Sequence, residues 1–499
     1  MLNERGISVT QGPITFRWNG RPVAAAPGDT LAAALWRAGI RRTAATRKRH
    51  LPLGPSGSFV AGALAGVDGR PNVRLDRALV CEAVSGDGGP AATEQNTWPS
   101  PHFDLLRAAR LLPARLLYGG FEHGRLVPRS PGLFARFERL LAFLAGVGEA
   151  AHIGTGPLPQ GRRIAVDVLV VGGGPAGRAA ANAAAADGAS VALVSRSAEP
   201  GSFARAMGVA LPPLDGRVQV FTRTEVFGLY RKGALVAAAP FDDEAGALVF
   251  DPGRTVLATG QHSVPPVVAG NHLPGVIDAH FALSLASEHG VRPGARVVVV
   301  GTGAEEAVAA RLRGAGVNVV ATAPVSTLTA IRGRNGVRAA VLNRTIACDC
   351  VVHAGPWRAD PGLGFQAMAE GLGQLGTGFS EAAGVSLAGS AAQAPQAIAL
   401  PLRLDPAAYV CPCMDVTVGE VLTRIAGGES DLEVLKRLTS CGMGPCQGFP
   451  CWEMLAAVVA RAAPDAPQAV RRPSHRTPRR GLTVAQAAGL NGLVEPDQS

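Results

Sequence analysis

Five of the eight cysteines in this 499-residue chain lie close together, at Cys411, Cys413, Cys441, Cys446 and Cys451. Thiolates grouped on short loops are ligands for iron or zinc. Cys411-Pro412-Cys413 and the pair Cys446 and Cys451 offer four sulfurs from two loops, the number that a [2Fe–2S] cluster requires. Tetrahedral zinc uses the same number, although its loops usually have two to four residues between cysteines; a site without metal is the third possibility. Cys441 is a fifth candidate that could replace one of the four. Gly442, Gly444 and Gly448 free the backbone to turn N–H groups toward the sulfurs, which tunes a cluster's potential. Thr417–Arg424 and Asp431–Leu438 read as the helices that space these loops, with Thr417 as an N-cap and Glu420 and Glu433 on their faces.

A second chemical signal lies upstream. Val166–Val171 is a mostly apolar strand running into Gly172-Gly173-Gly174-Pro175-Ala176-Gly177 and then an Ala-rich helix. In this G-x-G-x-x-G pattern the first glycine permits the tight turn and the second lets a pyrophosphate approach the backbone. The third, Gly177, lets the helix pack on the strand with its N-terminus aimed at the phosphates. Strand before and helix after make this a dinucleotide-binding signal. The next strand, Ser190–Val194, should end in an acid that holds ribose hydroxyls, but runs into Ser195-Arg196-Ser197. Three readings stay open: ribose held in another way, Arg196 meeting a 2′-phosphate, or weak binding.

A third signal is degenerate. Val300-Gly301-Thr302-Gly303-Ala304-Glu305-Glu306 keeps two glycines and has Glu306 where the third would fall. The following strand, Val317–Val320, ends in Ala321-Thr322, again without an acid. A role in the fold is favoured over a working NAD(P)H site. Ala258-Thr259-Gly260, after Arg254–Leu257, has the character of the crossover strand of two-dinucleotide flavoproteins. Ala388-Gly389-Ser390 has serine where those proteins carry aspartate beside the flavin ribityl chain.

The remaining candidates read as structural. Cys348-Asp349-Cys350 lies on an apparent strand, where alternate positions would turn both thiols to one face. Cys81 is alone. No C-x-x-C pair occurs in the nucleotide region, which argues against disulfide reduction. No Ser/His/Asp or paired-carboxylate arrangement stands out, and His50, His102, His262 and His353 are isolated in sequence. No catalytic residue is therefore assigned.

The elements that must position these groups fall into an α/β chain of two to four domains. Residues 1–87 read as a small β-rich unit with a hairpin turn at Asn19-Gly20 and a helix over Thr30–Gly39, capped by Asp29. A loop-rich connector spans 88–163, with an amphipathic helix over Leu133–Leu144. Residues 164–405 alternate strand, Gly-rich turn and helix, the pattern of a doubly wound domain with a second one inserted. The Cys-rich helical module covers 406–465. A basic, Pro-rich tail, 466–499, with Arg471-Arg472-Pro473 and Arg479-Arg480, is expected on the surface or against a partner.

Hydrophobic residues make up 47% and charged residues 17%, a folded rather than disordered composition. The formal charge of +10 comes from scattered arginines and does not form a nucleic-acid-binding patch. No apolar run is long enough to span a membrane, and the N-terminus has no secretory signal. Clustered cysteines without a disulfide pattern then point to a cytoplasmic redox protein.

These motifs resemble the α subunit of the heteromeric sarcosine oxidase family. That group includes the larger flavoprotein subunits of hydrogen cyanide synthase, opine oxidase and (hydroxy)proline dehydrogenase. The carriers are Asn19-Gly20-Arg21-Pro22, Gly28-Asp29-Thr30-Leu31, Gln95-Asn96-Thr97-Trp98-Pro99-Ser100, Val171–Gly177, Leu273-Pro274-Gly275-Val276 and Cys441-Gly442-Met443-Gly444-Pro445-Cys446-Gln447-Gly448. The last is similar to the cluster-binding domain of bacterioferritin-associated ferredoxin. The resemblance implies an N-terminal ferredoxin-like β-grasp domain, a two-dinucleotide Rossmann-type flavoprotein domain and a small helical [2Fe–2S] domain. It also implies that the C-terminal folate-binding half of that subunit is lacking.

Relatives sometimes carry Ala at the Cys441 position, which assigns Cys411, Cys413, Cys446 and Cys451 as ligands. Some carry another cluster between Pro52 and Arg74, but here Gly57–Ala63 fills the region without cysteine. The implied cofactors are the cluster and FAD, with NAD possible. Gly172, Gly174, Pro175, Ala176, Gly177, Ser195, Arg196, Thr259, Gly260, Gly301 and Gly303 are the candidate dinucleotide residues. The implied partner is an FAD-containing β subunit of amino-acid-oxidase type that oxidises a small amine or amino acid, with this chain passing electrons onward. Two other readings are a self-sufficient NAD(P)H-dependent flavin oxidoreductase and a scaffold whose nucleotide site is empty.

Overall fold

A computed structural model describes residues 14–79, 91–100, 103–111, 130–144, 158–230, 234–242, 245–359, 362–367, 384–393, 397–398, 400, 404–464, 477–491 and 493. Cys81, His102 and the Arg471-Arg472-Pro473 run lie outside these residues.

Strands β1 (Ile14–Trp18) and β2 (Arg21–Ala25) pair as a hairpin whose turn residues, Asn19 and Gly20, both have positive φ, 49° and 79°. Asn and Gly tolerate that region best, so the Asn-Gly signal gives this turn. Period-two alternation turns Phe16, Trp18, Val23 and Ala25 inward. Strands β3 (Leu64–Val67), β4 (Arg70–Arg74) and β5 (Ala91–Thr93) complete a sheet ordered β2-β1-β5-β3-β4. The first sheet thus takes in residues beyond position 87. Helix α1 (Leu31–Arg37) packs its apolar side on this sheet. Its N-cap is Thr30, whose hydroxyl accepts from Ala33 N, and not Asp29. Asp29 sits one residue too early. It accepts from Ala26 N and pairs with Arg37 and His289, tying this domain to the nucleotide region.

In the connector, helix α2 (Pro131–Leu144) forms where amphipathic periodicity predicted one, yet Leu133, Phe134, Leu140 and Phe143 on it are exposed. Leu133 is 55% and Phe143 49% exposed.

Strands β6 (Arg162–Val171), β7 (Val191–Val194) and β8 (Gln219–Phe221) run parallel, with helix α3 (Pro175–Ala186) crossing from β6 to β7. An antiparallel meander, β9 (Thr224–Tyr230), β10 (Leu235–Pro240) and β11 (Leu248–Leu257), returns to pair β11 with β6 in parallel. The order is β8-β7-β6-β11-β10-β9, and late strand β16 (Val385–Leu387) adds beside β11.

A second, wholly parallel sheet is inserted between β11 and β16. It contains β12 (Val276–Asp278), β13 (Val297–Gly301), β14 (Val319–Pro324) and β15 (Cys350–Ala354), ordered β12-β15-β13-β14. Helices α4 (Ala279–Ser287) and α5 (Glu305–Gly314) pack on it. The continuous valines of β13, all buried, are what a strand covered on both faces requires.

The Cys-rich module has a short ladder, β17 (Tyr409–Cys411) with β18 (Val416–Thr417), and helices α6 (Val418–Ala426), α7 (Leu432–Thr439) and α8 (Cys451–Ala462). Thr417 and Glu420 form a reciprocal capping box and Asp431 caps α7. After residue 476 the described tail docks on the first nucleotide domain instead of projecting outward. Helix α9 (Val484–Ala488) turns Gln486 inward to donate to Pro240 O, while Leu482 and Leu490 pack near Phe227. Apolar residues inside a basic stretch explain this docking. Among the described residues, no helix is long and apolar enough to cross a membrane.

Candidate functional site

The first Gly loop has an anion-binding form. Gly172 has φ 109°, and a Cβ there would lie 2.3 Å from Ala258 O. A Cβ on Gly177 would lie 1.9 Å from Gly172 O, so only glycine lets α3 approach the loop this closely. Gly174 is the N-cap of α3, no side chain caps the helix, and no atom lies within 4 Å of where its Cβ would point. Pro175 occupies the first turn, which contains no acid, and Ala176 packs beside Gly389. Thr259 and Gly260 (φ 73°) follow β11 on the same sheet edge, Ala258 N donating to Val171 O. Uncapped N–H groups facing open space, with the helix dipole behind them, fit a pyrophosphate.

Ser195 is buried at the end of β7, its hydroxyl accepting from Ser197 N at 3.3 Å. The Arg196 side chain is 62% exposed and lies 3.7 Å from the buried Glu225 carboxylate. Arg480, at 3.5 Å, and Arg77 also meet Glu225. Burial pushes this carboxyl up, but Arg77, Arg480, Arg196 and Arg74 outweigh it and hold Glu225 below the usual range.

The second loop is closed by its own chain. Gly303 N donates to Glu305 Oε2 at 2.7 Å, and Glu306 pairs with Arg313 at 2.6 Å. A carboxylate thus occupies the amide that a phosphate would use, and two acids open α5. Gly301 and Gly303 therefore do not share the open character of the first loop.

All five C-terminal cysteines converge in one buried core. The sulfurs of Cys411, Cys446 and Cys451 lie within 4.8 Å of one another, and those of Cys446 and Cys451 are 3.5 Å apart. Cys411 also interacts with Cys413 and Cys441. Hydrogen bonds from Cys413 and the other thiols hold Cys411 well below the usual thiol range; the same bonds to Cys411, with burial, push the others up. Gly442 N donates to Cys411 Sγ at 3.5 Å. Buried, mutually touching, reduced cysteines with one favoured thiolate form a donor set that fits iron–sulfur ligation.

Among the described bonds Gly442 donates to a sulfur as the sequence suggested, whereas Gly444 and Gly448 shape the pocket by leaving out a side chain. Gly448 has φ 81°, and a Cβ there would fall 1.7 Å from the Trp452 ring; Gly444 faces Cys413. Phe449, between Cys446 and Cys451, lies against His262 at 3.8 Å between ring centroids. The Arg479 and Arg480 guanidinium groups lie over the Phe449 ring, at 5.5 and 5.2 Å from its centroid. Arg480 thus links the cysteine loop to Glu225 and the end of β7.

Sequence reasoning missed residues that are distant in the chain. Asp415 is buried and accepts from Lys48 N at 2.9 Å, Arg49 N at 2.5 Å and Tyr409 OH at 2.8 Å. His353, isolated in sequence, lies in a buried network: its Nδ1 is 2.6 Å from Ser263 Oγ and its Nε2 3.4 Å from Ser58 Oγ. Ser58 Oγ donates to Asp278 at 3.1 Å. Cys348 and Cys350 do not share a face. Asp349 forms a bend, accepting from Ala295 N and Arg296 N, so β15 starts only at Cys350 and the thiols enter different cores.

Fold and site together define an oxidoreductase that joins a two-dinucleotide domain to an iron–sulfur module. Residues 166–332 match the pyridine nucleotide-disulphide oxidoreductase family and residues 405–490 the sarcosine oxidase A3 domain. Residues 11–85 match a 2Fe-2S iron-sulfur cluster binding domain, though Cys81 is the only cysteine there. The sarcosine oxidase subunit alpha of Rhizobium meliloti (strain 1021) is 31% identical over 353 residues, 64% of this chain and 35% of that protein. The subunit alpha of Corynebacterium sp. (strain P-1) is 34% identical over 163 residues, 27% of this chain and 17% of that one. L-proline dehydrogenase from P. horikoshii superposes over 97% of this chain and 99% of its own, with a TM-score of 0.71 at 20% identity, and shares the fold.

Over these matched regions the chain is similar to sarcosine oxidase alpha subunits. The aligned region spans about a third of the length of its R. meliloti relative. The cofactors that its domains carry are a [2Fe–2S] cluster and FAD or NAD.

Proposed function

We propose that this chain is the electron-transferring subunit of a heteromeric amine or amino-acid oxidase or dehydrogenase, with Cys411, Cys413, Cys446 and Cys451 holding the cluster. The observation that carries this reading is the convergence of buried, reduced cysteines in a module whose Phe449 lies under Arg480 of the tail, which in turn pairs with Glu225 on β9. When bound, the cluster supplies one-electron relay between this chain's dinucleotide cofactor and a flavin on a partner. Gly442 N–H stabilises charge on Cys411, and the surrounding Val416, Val418, Leu435, Met454 and Leu455 exclude water. Gly172, Gly174 and Gly177, with Pro175, Ala176, Thr259 and Gly260, form the pyrophosphate cradle.

Amine oxidation falls to the partner, an FAD protein of amino-acid-oxidase type, the division of labour that the resemblance implies. Trp98, Phe103, Leu105, Leu111, Leu140 and Phe143 are exposed on the connector, with the Trp98 and Phe143 rings edge to face at 6.3 Å, surface that suits a docking face. The test is anaerobic reduction followed by visible and paramagnetic-resonance spectroscopy. A secondary amine should reduce the cluster only when the partner is present. Turnover of the amine by this chain alone would overturn the proposal.

A further inference from the structure

The N-terminal domain has the sheet of a cluster-binding domain, with Cys81 as the only cysteine of the matched segment, and part of it is buried in the C-terminal cysteine core. Phe59 and Val60, from the segment where relatives' cluster loops run, share that core with Cys411, Cys413, Cys441, Cys446 and Cys451. Nearby, the Lys48 and Arg49 amides both bind Asp415, the residue that closes the Cys411–Met414 turn in left-handed geometry at φ 57°. This clamp sets Lys48 against the Cys411–Met414 turn with its ammonium atom buried; burial lowers its pKa, while the charges of Glu420 and Asp415 favour the ammonium form. Arg49 pairs with Glu420 at 3.4 Å. At the end of β4, Arg74 lies opposite Leu64 of β3, which packs on the cysteine core, and is held by Asp76, with Nε to Oδ1 at 2.7 Å.

We propose that this domain is the socket of the C-terminal cluster, with Lys48 and Arg74 as positioning residues whose positive charge keeps its reduction potential up. The inference rests on the reading that these thiolates hold a [2Fe–2S] cluster. Beside Cys411, Lys48 and Arg49 balance Asp415 and Glu420. At the end of β4, next to this core, Arg74 balances Asp76. Neutralising either cation leaves an uncompensated carboxylate near a centre that becomes more negative on reduction. In a dry site such a charge acts with little screening. The oxidised state is then favoured.

The test is a potentiometric titration of the full chain, followed by paramagnetic resonance, for wild type, Lys48→Met and Arg74→Met. Both substitutions keep an apolar stem, and the backbone bonds from residues 48 and 49 to Asp415 do not depend on the side chain. The ratio of reduced to oxidised cluster at the wild-type midpoint should fall about tenfold in either variant, a shift of about 59 mV toward negative potential for a one-electron couple. Lys48→Arg should return it to near the wild-type value. Unchanged midpoints in both methionine variants, with wild-type iron and sulfide, would overturn the socket. Wild-type chain without iron would instead overturn the cluster reading, and that is seen before any substitution is made.

Discussion

Gly448 shows how tightly single residues constrain the cysteine loop. Its positive φ and the Trp452 ring against it leave no space for a methyl group. Gly448→Ala should cost about 2–4 kcal/mol and release the cluster, measured as a lower unfolding temperature and lost visible absorbance. Asp278 makes a separate test of the buried interface between the N-terminal and nucleotide domains. Burial pushes its carboxyl up to about 6 from 3.8, against the hydrogen bonds from Phe281 N and Ser58. Between these values the folded protein holds a proton that the unfolded chain has released. This group's stabilisation is therefore full below about pH 4, falls as pH rises to about 6 and is flat beyond. Asp278→Asn, which keeps a capping side chain, should gain on the wild type by about 2 kcal/mol between pH 4.5 and 7 in denaturant titrations. An unchanged difference at the two pH values would show that this carboxyl is ionised throughout.

Elements carry the next set of consequences. Helix α5 begins with Glu305, whose carboxylate takes the Gly303 amide, so the second Gly loop offers no open phosphate cradle. NADH or NADPH should leave the flavin absorption band unbleached; rapid bleaching would favour a self-sufficient reductase. Helix α2 makes the opposite point, since its exposed Leu140 and Phe143 serve no internal core. Leu140→Glu with Phe143→Glu should abolish co-purification with the partner and leave the unfolding temperature of the chain within about 1 °C. Loss of stability without loss of the partner would assign the helix to the fold instead.

At the scale of the whole molecule, what could be read in sequence was what is local in the chain. The Asn19-Gly20 turn, the Gly172–Gly177 loop between strand and helix, and the Thr417 cap each depend on residues a few positions apart. The C-x-C spacing pointed to metal for the same reason. The clamp of Lys48 and Arg49 on Asp415 joins segments more than 360 residues apart, and no pattern along the chain marks it. Nor did alternation foresee the bend at Asp349 that separates Cys348 from Cys350, or the docking of Leu482 and Leu490 within a basic tail. Periodicity also predicted helix α2 correctly while leaving open what its apolar side meets.

Metal and sulfide analysis of the purified chain tests the account at its centre. The account predicts roughly two iron and two acid-labile sulfide per chain, both lost in Cys446→Ser. Stoichiometric zinc, or a chain that binds no metal under anaerobic reconstitution, would contradict it.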